Sequence, residues 1–279
     1  MSAKPVSIIF CAHPSIYASL VLAALIDDKR IAVRAVVLST RVKCANSSAL
    51  ADIMAILRDS GIRYAVYLAW VTGIYWLFGG GWGVASLQRQ CKSHRLPVLS
   101  TDNINHSNAQ AFIRRHINSN HKNFLLTAMF NQKLSIDLLA IEHLCCINLH
   151  PGKLPQYRGV DPVLMMLRDQ VSDCEITLHK TAVELDSGDI LATRAMPVDT
   201  NRSLFWHQYR LFELGAAMAT QWLGRCCEQA GDTGMLPGQA QQGEVAYYGW
   251  PDRSAMPALG KLMGFSDCWQ LFSRVKKLK

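Results

Sequence analysis

The chain has 279 residues, enough for one large domain or for a domain with a smaller appendage. Half of the residues are hydrophobic, and Gly and Pro are not in excess, which argues against collagen-like, disordered and solenoid architectures. Lys and Arg number 29 and Asp and Glu 21, giving a formal charge of +8. A basic surface suits an anionic ligand or RNA, but the charge is dispersed, and the dense run at residues 274–279 is also typical of a solvated tail.

The cysteines and apolar segments indicate a chain kept in a reducing compartment. No pair among the nine cysteines has the C-x-x-C spacing of zinc or redox sites, so we expect buried free thiols, no metal centre and a cytoplasmic location. The run Val6–Phe10 is too short for the core of a signal peptide and favours a buried strand. The uncharged segment Tyr64–Phe78 is shorter than the roughly 20 residues that span a membrane. It predicts an apolar helix, with contact to a membrane surface or a partner chain as the alternative.

Short apolar runs alternate with segments of helical periodicity through the first 150 residues. In Asn46–Ser60 the apolar side chains Leu50, Ile53, Met54 and Leu57 share one helix face, with Asn46 or Ser47 as cap and Gly61 as stop. Buried strands that alternate with helices are typical of an α/β fold with a doubly wound, mostly parallel sheet. Strands are predicted at Val6–Phe10, Ile31–Leu38, Leu96–Ser100, Asn123–Met129 and Cys145–Leu149, and helices at Ile16–Ile26, Asn46–Ser60, Tyr64–Phe78, Val84–Ser93, Ala109–Ile117 and Ser135–Ile141.

The second half begins with a loop rich in Gly and Pro, and after residue 230 the composition turns to Gly, Gln and Pro. We therefore expect a catalytic domain at residues 1–230 and a C-terminal tail at residues 231–279. The tail is expected to have little fold of its own and to pack against the domain. The elements predicted between them are a helix at Val163–Arg168, strands at Glu175–Ala182 and Ile190–Val198, and a long helix at Leu204–Cys227.

Three polar residues suit one kind of chemistry. Asn148 and His150 are two residues apart at a strand end, so their side chains point the same way, beyond the carboxyl end where parallel sheets bind ligands. Asp186 lies in a turn between two later strands. An amide, an imidazole and a carboxylate suit transfer of an acyl carbon to an amine, in which an oxyanion develops and the nitrogen loses a proton. Structural roles remain open for each: a loop cap, a backbone hydrogen bond and an ordinary turn.

Four motifs around these residues occur in a defined order. They are Asn148–Pro155 (NLHPGKLP), Tyr157-Arg158-Gly159, Thr177-Leu178-His179 and Leu185–Ile190 (LDSGDI). Together they closely resemble the folate-dependent formyltransferase family, which includes methionyl-tRNA, glycinamide ribonucleotide and small-molecule N-formyltransferases. The resemblance runs from about residue 6 to about residue 225 and is most specific at residues 147–191.

The resemblance implies a role for each of the three residues. Asn148 would hold the formyl oxygen, His150 would stabilise the oxyanion and take part in proton removal, and Asp186 would hold His150 and an ordered water. It also implies N10-formyltetrahydrofolate as the donor, no metal, and folate binding mainly through the backbone of two segments. Core packing is the alternative for Phe130 and Leu134. The implied folate-binding residues are Phe130, Asn131, Gln132 and Leu134 after the central strand, and Thr181, Ala182, Val183 and Glu184 before Asp186.

Two departures from the family's patterns bear on the acceptor. The first loop, Cys11–Ser15, has no glycine to cradle a substrate phosphate, which weakens the ribonucleotide reading. The tail is short for the extra barrel of the tRNA enzymes, and its basic end is small for a tRNA surface. Tyr247–Pro251 and Tyr64–Phe78 resemble stand-alone formyltransferases outside these two groups. In size and layout the chain is similar to the transformylases of hydroxylated ornithine in siderophore assembly. A small-molecule acceptor such as N5-hydroxyornithine is therefore implied, rather than tRNA, DNA or a membrane; methionyl-tRNA, an amino sugar or non-catalytic folate binding are alternatives.

Overall fold

The computed structural model describes residues 4–43, 47–73, 85–228, 237–257, 259–264 and 266–269. Several features singled out in the sequence lie outside the described residues. They are the cap Asn46, residues 74–78 of the apolar segment, the loop Gly79–Gly83 and the basic end at residues 274–279.

The described residues form nine strands, seven of which make one central sheet. They are β1 (Val6–Ala12), β2 (Ile31–Ser39), β3 (Val98–Thr101), β4 (Asn123–Ala128), β5 (Leu144–His150), β6 (Arg158–Gly159), β7 (Asp173–Lys180), β8 (Ile190–Pro197) and β9 (Tyr247–Tyr248). The sheet has the order β3-β2-β1-β4-β5-β7-β8. Its first five strands run parallel, whereas β7 is antiparallel to β5 and to β8. The predicted α/β class with a mostly parallel sheet is confirmed.

Helices cover both faces of this sheet. They are α1 (Ile16–Asp27), α2 (Ala49–Asp59), α3 (Gly61–Thr72), α4 (Leu87–Ser93), α5 (Ser107–Arg115), α6 (Ile136–Leu139), α7 (Pro162–Arg168), α8 (Leu204–Glu228) and α9 (Leu259–Leu262). Alternate residues of β1 enter two separate cores. Ile8 and Phe10 join a core with α1, α3 and α8, while Ile9 and Cys11 join one with α5 and α6. None of the described helices meets the length and hydropathy needed to cross a membrane.

Helix α2 lies where a helix was predicted, but its start differs. The expected cap Ser47 is wrong, because the hydroxyl of Ser48 accepts the first-turn N–H and Ser47 instead donates to Asp52 over 2.6 Å. Gly61 ends the helical path as predicted, since its φ of +85° suits glycine. It is also the first residue of α3, so the next helix begins three residues before the predicted Tyr64.

The apolar face of α2 points outward. Leu50 is 70% exposed and Met54 is 60% exposed, whereas Asp52 and Ile56 are buried. The polar side of α2 turns inward because the Asp52 carboxylate accepts the backbone N–H of Lys43 over 2.7 Å as well as the nearby serine hydroxyl. The periodicity thus predicts the helix correctly but not the face that it buries.

The described part of the C-terminal segment contacts the sheet and its loops. β9 pairs in parallel with β6, so that Arg158 lies opposite Tyr247 and Gly159 opposite Tyr248. Gln239 exchanges two backbone hydrogen bonds of 2.8 Å with Ile190 at the start of β8. These contacts bring residues 237–250 to the edge of the sheet where β5 ends.

Candidate active site

The candidate site lies at the end of β5, beside the antiparallel strand β7. Asn148 and His150 point to the same side of β5, as their spacing predicts. Across the ladder, Asn148 lies opposite His179, and His150 lies opposite Thr177. The loop between β7 and β8 folds back over this point and brings Asp186 to both strands. Asn148, His150 and Asp186 are therefore neighbours, although 38 residues separate the first from the last.

Asn148 is held from both sides. Its Oδ1 accepts the Thr127 hydroxyl of β4 over 2.8 Å, which fixes the orientation of the amide. Its Nδ2 donates toward Asp186 Oδ1 at 3.3 Å and toward His179 Nε2 at 3.1 Å. The side chain is only partly buried, so a ligand above the sheet can reach the amide.

His150 is buried, and its two ring nitrogens have different partners. Nε2 lies 2.7 Å from the carbonyl oxygen of Tyr157 and donates to it, since a carbonyl only accepts. Nδ1 faces Asp186 Oδ1 at 3.5 Å. Burial lowers the pKa of His150, and the Asp186 charge partly offsets this by raising it. At neutral pH the imidazole is therefore mostly neutral, with Nδ1 free to take a proton.

Asp186 is the charged member of the group. Its side chain is 10% exposed, and its backbone has a φ of +53°, a conformation that non-glycine residues adopt rarely. Burial raises the pKa of Asp186, but the neighbouring His150, His179 and the Gly159 N–H together outweigh burial and hold it below the ordinary value. The Gly159 N–H donates to Oδ2 over 3.0 Å. A buried carboxylate that stays ionised beside an imidazole can orient the ring and stabilise its protonated form.

Two further residues of the site were not assigned roles from the sequence. His179 donates from Nδ1 to the carbonyl of Lys180 over 2.7 Å, which leaves Nε2 as an acceptor toward Asn148. The Thr-x-His motif marked His179, but only the antiparallel register of β7 on β5 explains its place. Thr127 carried no motif, and its contact with Asn148 depends on the pairing of β4 with β5.

The segment after β4 uses its side chains to hold the fold together. Asn131 donates to the Arg41 carbonyl and accepts the Ser39 hydroxyl, both over 2.6 Å. Gln132 is buried, donates to the same hydroxyl and to the Thr101 carbonyl, and accepts the N–H of Ile104. Phe130 and Leu134 both pack on the core beneath α5 and α6. Phe130–Leu134 therefore offers a ligand mainly backbone groups, whichever ligand binds.

The segment before Asp186 lies past the end of β7. The predicted strand extended to Ala182, but β7 ends at Lys180, and the N–H of Thr181 donates to the Cys146 carbonyl. Val183 and Glu184 are exposed. The Thr181 hydroxyl is buried and finds no hydrogen-bond partner among the described residues, an unusual state for a buried polar atom. A polar ligand group is one way to satisfy it.

Groups that could bind a metal are not assembled in the part of the chain that the structure describes. No set of three His, Cys, Asp or Glu side chains there has suitable geometry.

In the first loop, burial lowers the pKa of the His13 side chain. The backbone N–H of His13 donates to the Met129 carbonyl. This loop is therefore tied to the end of β4 by its backbone.

Comparison with known proteins identifies the family. A family model described as formyl transferase matches residues 86–219, a range that contains Asn148, His150 and Asp186 as well as both segments discussed above. This match covers just under half of the chain, which therefore contains a formyl transferase domain. The resemblance to this family that the four motifs predict is thus confirmed.

Similar proteins differ in the acceptors that their names give. The methionyl-tRNA formyltransferase of Thermotoga sp. (strain RQ2) is 30% identical over 132 residues, 47% of this chain and 41% of that protein. This chain therefore covers less than half of that relative's length. A sugar 3N-formyltransferase (WlaRD) has a TM-score of 0.56 at 15% identity, covering 90% of this chain and 71% of that chain. A phosphoribosylglycinamide formyltransferase from Anaplasma phagocytophilum has a TM-score of 0.55 at 14% identity, covering 88% of this chain and 99% of that chain. These two structures share the fold.

Proposed function

We propose that this formyltransferase-family chain moves a formyl group from N10-formyltetrahydrofolate to the amine of a small molecule, with Asn148, His150 and Asp186 at the reacting centre. The proposal rests on one observation. At the end of β5 the ionised Asp186 carboxylate lies 3.3 Å from the Asn148 amide nitrogen and 3.5 Å from Nδ1 of the buried His150 imidazole. Folate binding without catalysis would not require this set.

Each side chain has a distinct task in the proposed reaction. The Asn148 N–H groups hold the formyl oxygen and stabilise the negative charge that it gains as the amine adds to the carbon. His150 Nδ1 takes the proton that the amine nitrogen loses, directly or through a water, and becomes positively charged near the oxyanion. Asp186 stabilises that imidazolium at 3.5 Å. Breaking the bond from the carbon to the folate nitrogen then restores the carbonyl, and the proton goes to that nitrogen.

The residues present fit a folate donor in two respects. Phe130–Leu134 keeps its side chains in the fold and leaves its backbone available, and the buried Thr181 hydroxyl is unpaired among the described residues. A pterin ring carries several donors and acceptors that match such groups. One of the structural neighbours named above was solved with 5-N-formyl-tetrahydrofolate, which supports the same class of donor.

The acceptor is the less constrained part of the proposal. We infer N5-hydroxyornithine as the first acceptor to test, because the size and layout of the chain are similar to those of the transformylases of hydroxylated ornithine. The names of the similar proteins keep three other acceptors open, namely methionyl-tRNA, amino sugars and glycinamide ribonucleotide. A panel of all four separates them.

The test measures tetrahydrofolate release by absorbance with N10-formyltetrahydrofolate and each acceptor in turn. Removing one oxyanion donor typically lowers kcat about 10²–10³-fold, so we expect a loss of that size in Asn148→Ala. Asn120→Ala is the matched control, because Asn120 is exposed in the turn before β4. Release with one acceptor that Asn148→Ala abolishes supports the proposal. Folate binding without release for any acceptor, or equal rates in Asn148→Ala and wild type, refutes it.

A further inference from the structure

The C-terminal segment crosses the two loops that hold the site. Its strand β9 pairs with β6, and Gln239 forms a bridge with Ile190 just after the Asp186 turn. The N–H of Val160 donates to the Tyr248 carbonyl over 2.8 Å. One continuous stretch of chain, residues 239–248, is thus attached to both loops, which are otherwise joined through the Gly159–Asp186 hydrogen bond.

Gln241 lies between these two attachments and uses its whole amide. Its Nε2 donates to the carbonyl oxygens of Asp186 and Gly188, each over 2.8 Å. Its Oε1 accepts Arg158 Nη2 over 2.6 Å. An amide NH₂ has two donors, and here both point into one tight turn while the oxygen points to the other loop. The residue is partly buried, so these bonds are shielded from competing water.

The loops that Gln241 joins have backbones that need support. Asp186 has a φ of +53° and Gly159 a φ of +99°. Non-glycine residues at positive φ persist where surrounding contacts over-determine them. Both loops are closely packed, because a Cβ added at Gly159 would lie 2.1 Å from the Tyr248 carbonyl oxygen, and one at Gly188 would lie 2.0 Å from the Lys180 carbonyl oxygen.

We propose that Gln241 is a positioning residue, which holds the turn of Asp186 against the loop of Arg158 and Gly159 and so fixes the Asp186 carboxylate opposite His150. The expected effect on kcat rests on the proposed function, whereas the position of the Asp186 carboxylate does not. Gln241 touches only Asp186, Gly188 and Arg158 in these bonds, so it acts through Asp186.

The substitutions are chosen to separate positioning from folding. Gln241→Met keeps the length and the charge but removes all three bonds. Gln241→Glu keeps the acceptor for Arg158 and replaces the NH₂ with an oxygen facing two carbonyl oxygens. Gln242→Met and Gln242→Glu are the matched controls, since Gln242 is the next residue in the same segment and is exposed.

Two readouts respond to positioning but not to a merely structural role. The first is the split between kcat and KM: an error in placing a catalytic group by about 1 Å can cost on the order of 10² in rate. We therefore expect Gln241→Met to lower kcat at least tenfold, with the KM for N10-formyltetrahydrofolate changed less than threefold. The second is the titration of His150, followed by NMR of labelled histidine. Asp186, His179 and Arg158 are the charged and titratable groups that act on His150, and Asp186 raises its pKa.

If the Asp186 carboxylate moves away from His150 in Gln241→Met, the pKa of His150 falls below its value in wild type and in Gln242→Met. Lower kcat together with this shift supports the inference. A lower Tm with unchanged kcat and an unchanged titration overturns it and leaves Gln241 as a fold contact only. If wild type releases no tetrahydrofolate with any acceptor, the proposed function fails. The titration then decides the inference alone, since a shift supports it and no shift overturns it.

Discussion

A single methyl group at Gly152 should disable His150. A Cβ built on Gly152 lies 2.7 Å from His150 Nε2, 2.7 Å from the Tyr157 carbonyl oxygen and 2.9 Å from Pro162 Cβ. The first two atoms are the donor and the acceptor of the bond that orients the imidazole. Gly152→Ala therefore places a carbon too close to both atoms of this hydrogen bond. The φ of Gly152 is not in the left-handed region, so the effect arises from lack of space alone.

The magnitude follows from the distances. To reach an ordinary contact of 3.4 Å, His150 Nε2 and the Tyr157 oxygen must each move by about 0.7 Å. Overpacking of this kind costs about 1–3 kcal/mol of stability. Displacement of the ring by more than half an ångström from Asp186 and the cleft should lower kcat about 10²-fold, in line with the sensitivity of rates to misplacement.

The assay compares Gly152→Ala with Gly249→Ala. A Cβ at Gly249 has no atom within 4 Å, so this control makes the same chemical change in open space. Measurements of kcat, of Tm and of the His150 resonances in both variants separate loss of the ring orientation from loss of the fold. Wild-type kcat in Gly152→Ala would show that the His150–Tyr157 bond does not position the reacting imidazole.

Three further substitutions test the electrostatics of the molecule. Asp186→Asn should lower kcat about 10²–10⁴-fold and shift the His150 titration to lower pH, because the charge that raises the His150 pKa is lost; an unchanged titration would contradict the pairing. Thr127→Val removes the hydroxyl that donates to Asn148 Oδ1, and should cost about 1–3 kcal/mol in urea unfolding if that oxygen is left unpaired; no change would mean that water replaces the hydroxyl. Asp161→Asn tests a buried acid: burial raises the Asp161 pKa to about 6, against hydrogen bonds from Tyr64 and Gln208 that lower it. Because the folded-state pKa is raised, the wild type loses stability as the pH rises from about 4 through 6. The free energy of unfolding of Asp161→Asn, measured relative to that of the wild type, should therefore increase across that window by an amount on the order of 3 kcal/mol. A pH-independent difference between these two proteins would contradict the raised pKa.

Much of the fold follows from local patterns in the sequence. The continuous apolar runs of β1 and β4 predict buried parallel strands, and those strands are fully buried. The apolar spacing in α2 predicts the helix but not its orientation, because the burial of Asp52 depends on a backbone N–H nine residues earlier. Periodicity records which side chains share a face, whereas the face that turns inward is decided by tertiary contacts.

In the candidate site, too, local spacing predicts some contacts, whereas others depend on the tertiary fold. Asn148 and His150 are two residues apart, and a strand is enough to place them together. The contacts of Asn148 with Thr127 and His179 span 21 and 31 residues, and they depend on which strands pair and in which register. Gln241 lies 55 residues from Asp186, in a segment whose composition suggested little structure. No spacing rule would have selected it.

One short loop is contacted both by residues that match the family model and by residues outside that match. Residues 86–219 contain the three side chains proposed to react, but neither α3 nor Gln241. Within the matched part, the loop at residues 158–161 gives an N–H to Asp186 from Gly159. From outside it, Gln241 binds Arg158 at one end of this loop, and the Tyr64 hydroxyl of α3 donates to Asp161 over 2.9 Å at the other. Elements outside the matched range can therefore influence the proposed reacting centre without contributing a side chain to it, because they contact the loop from which Asp186 is held.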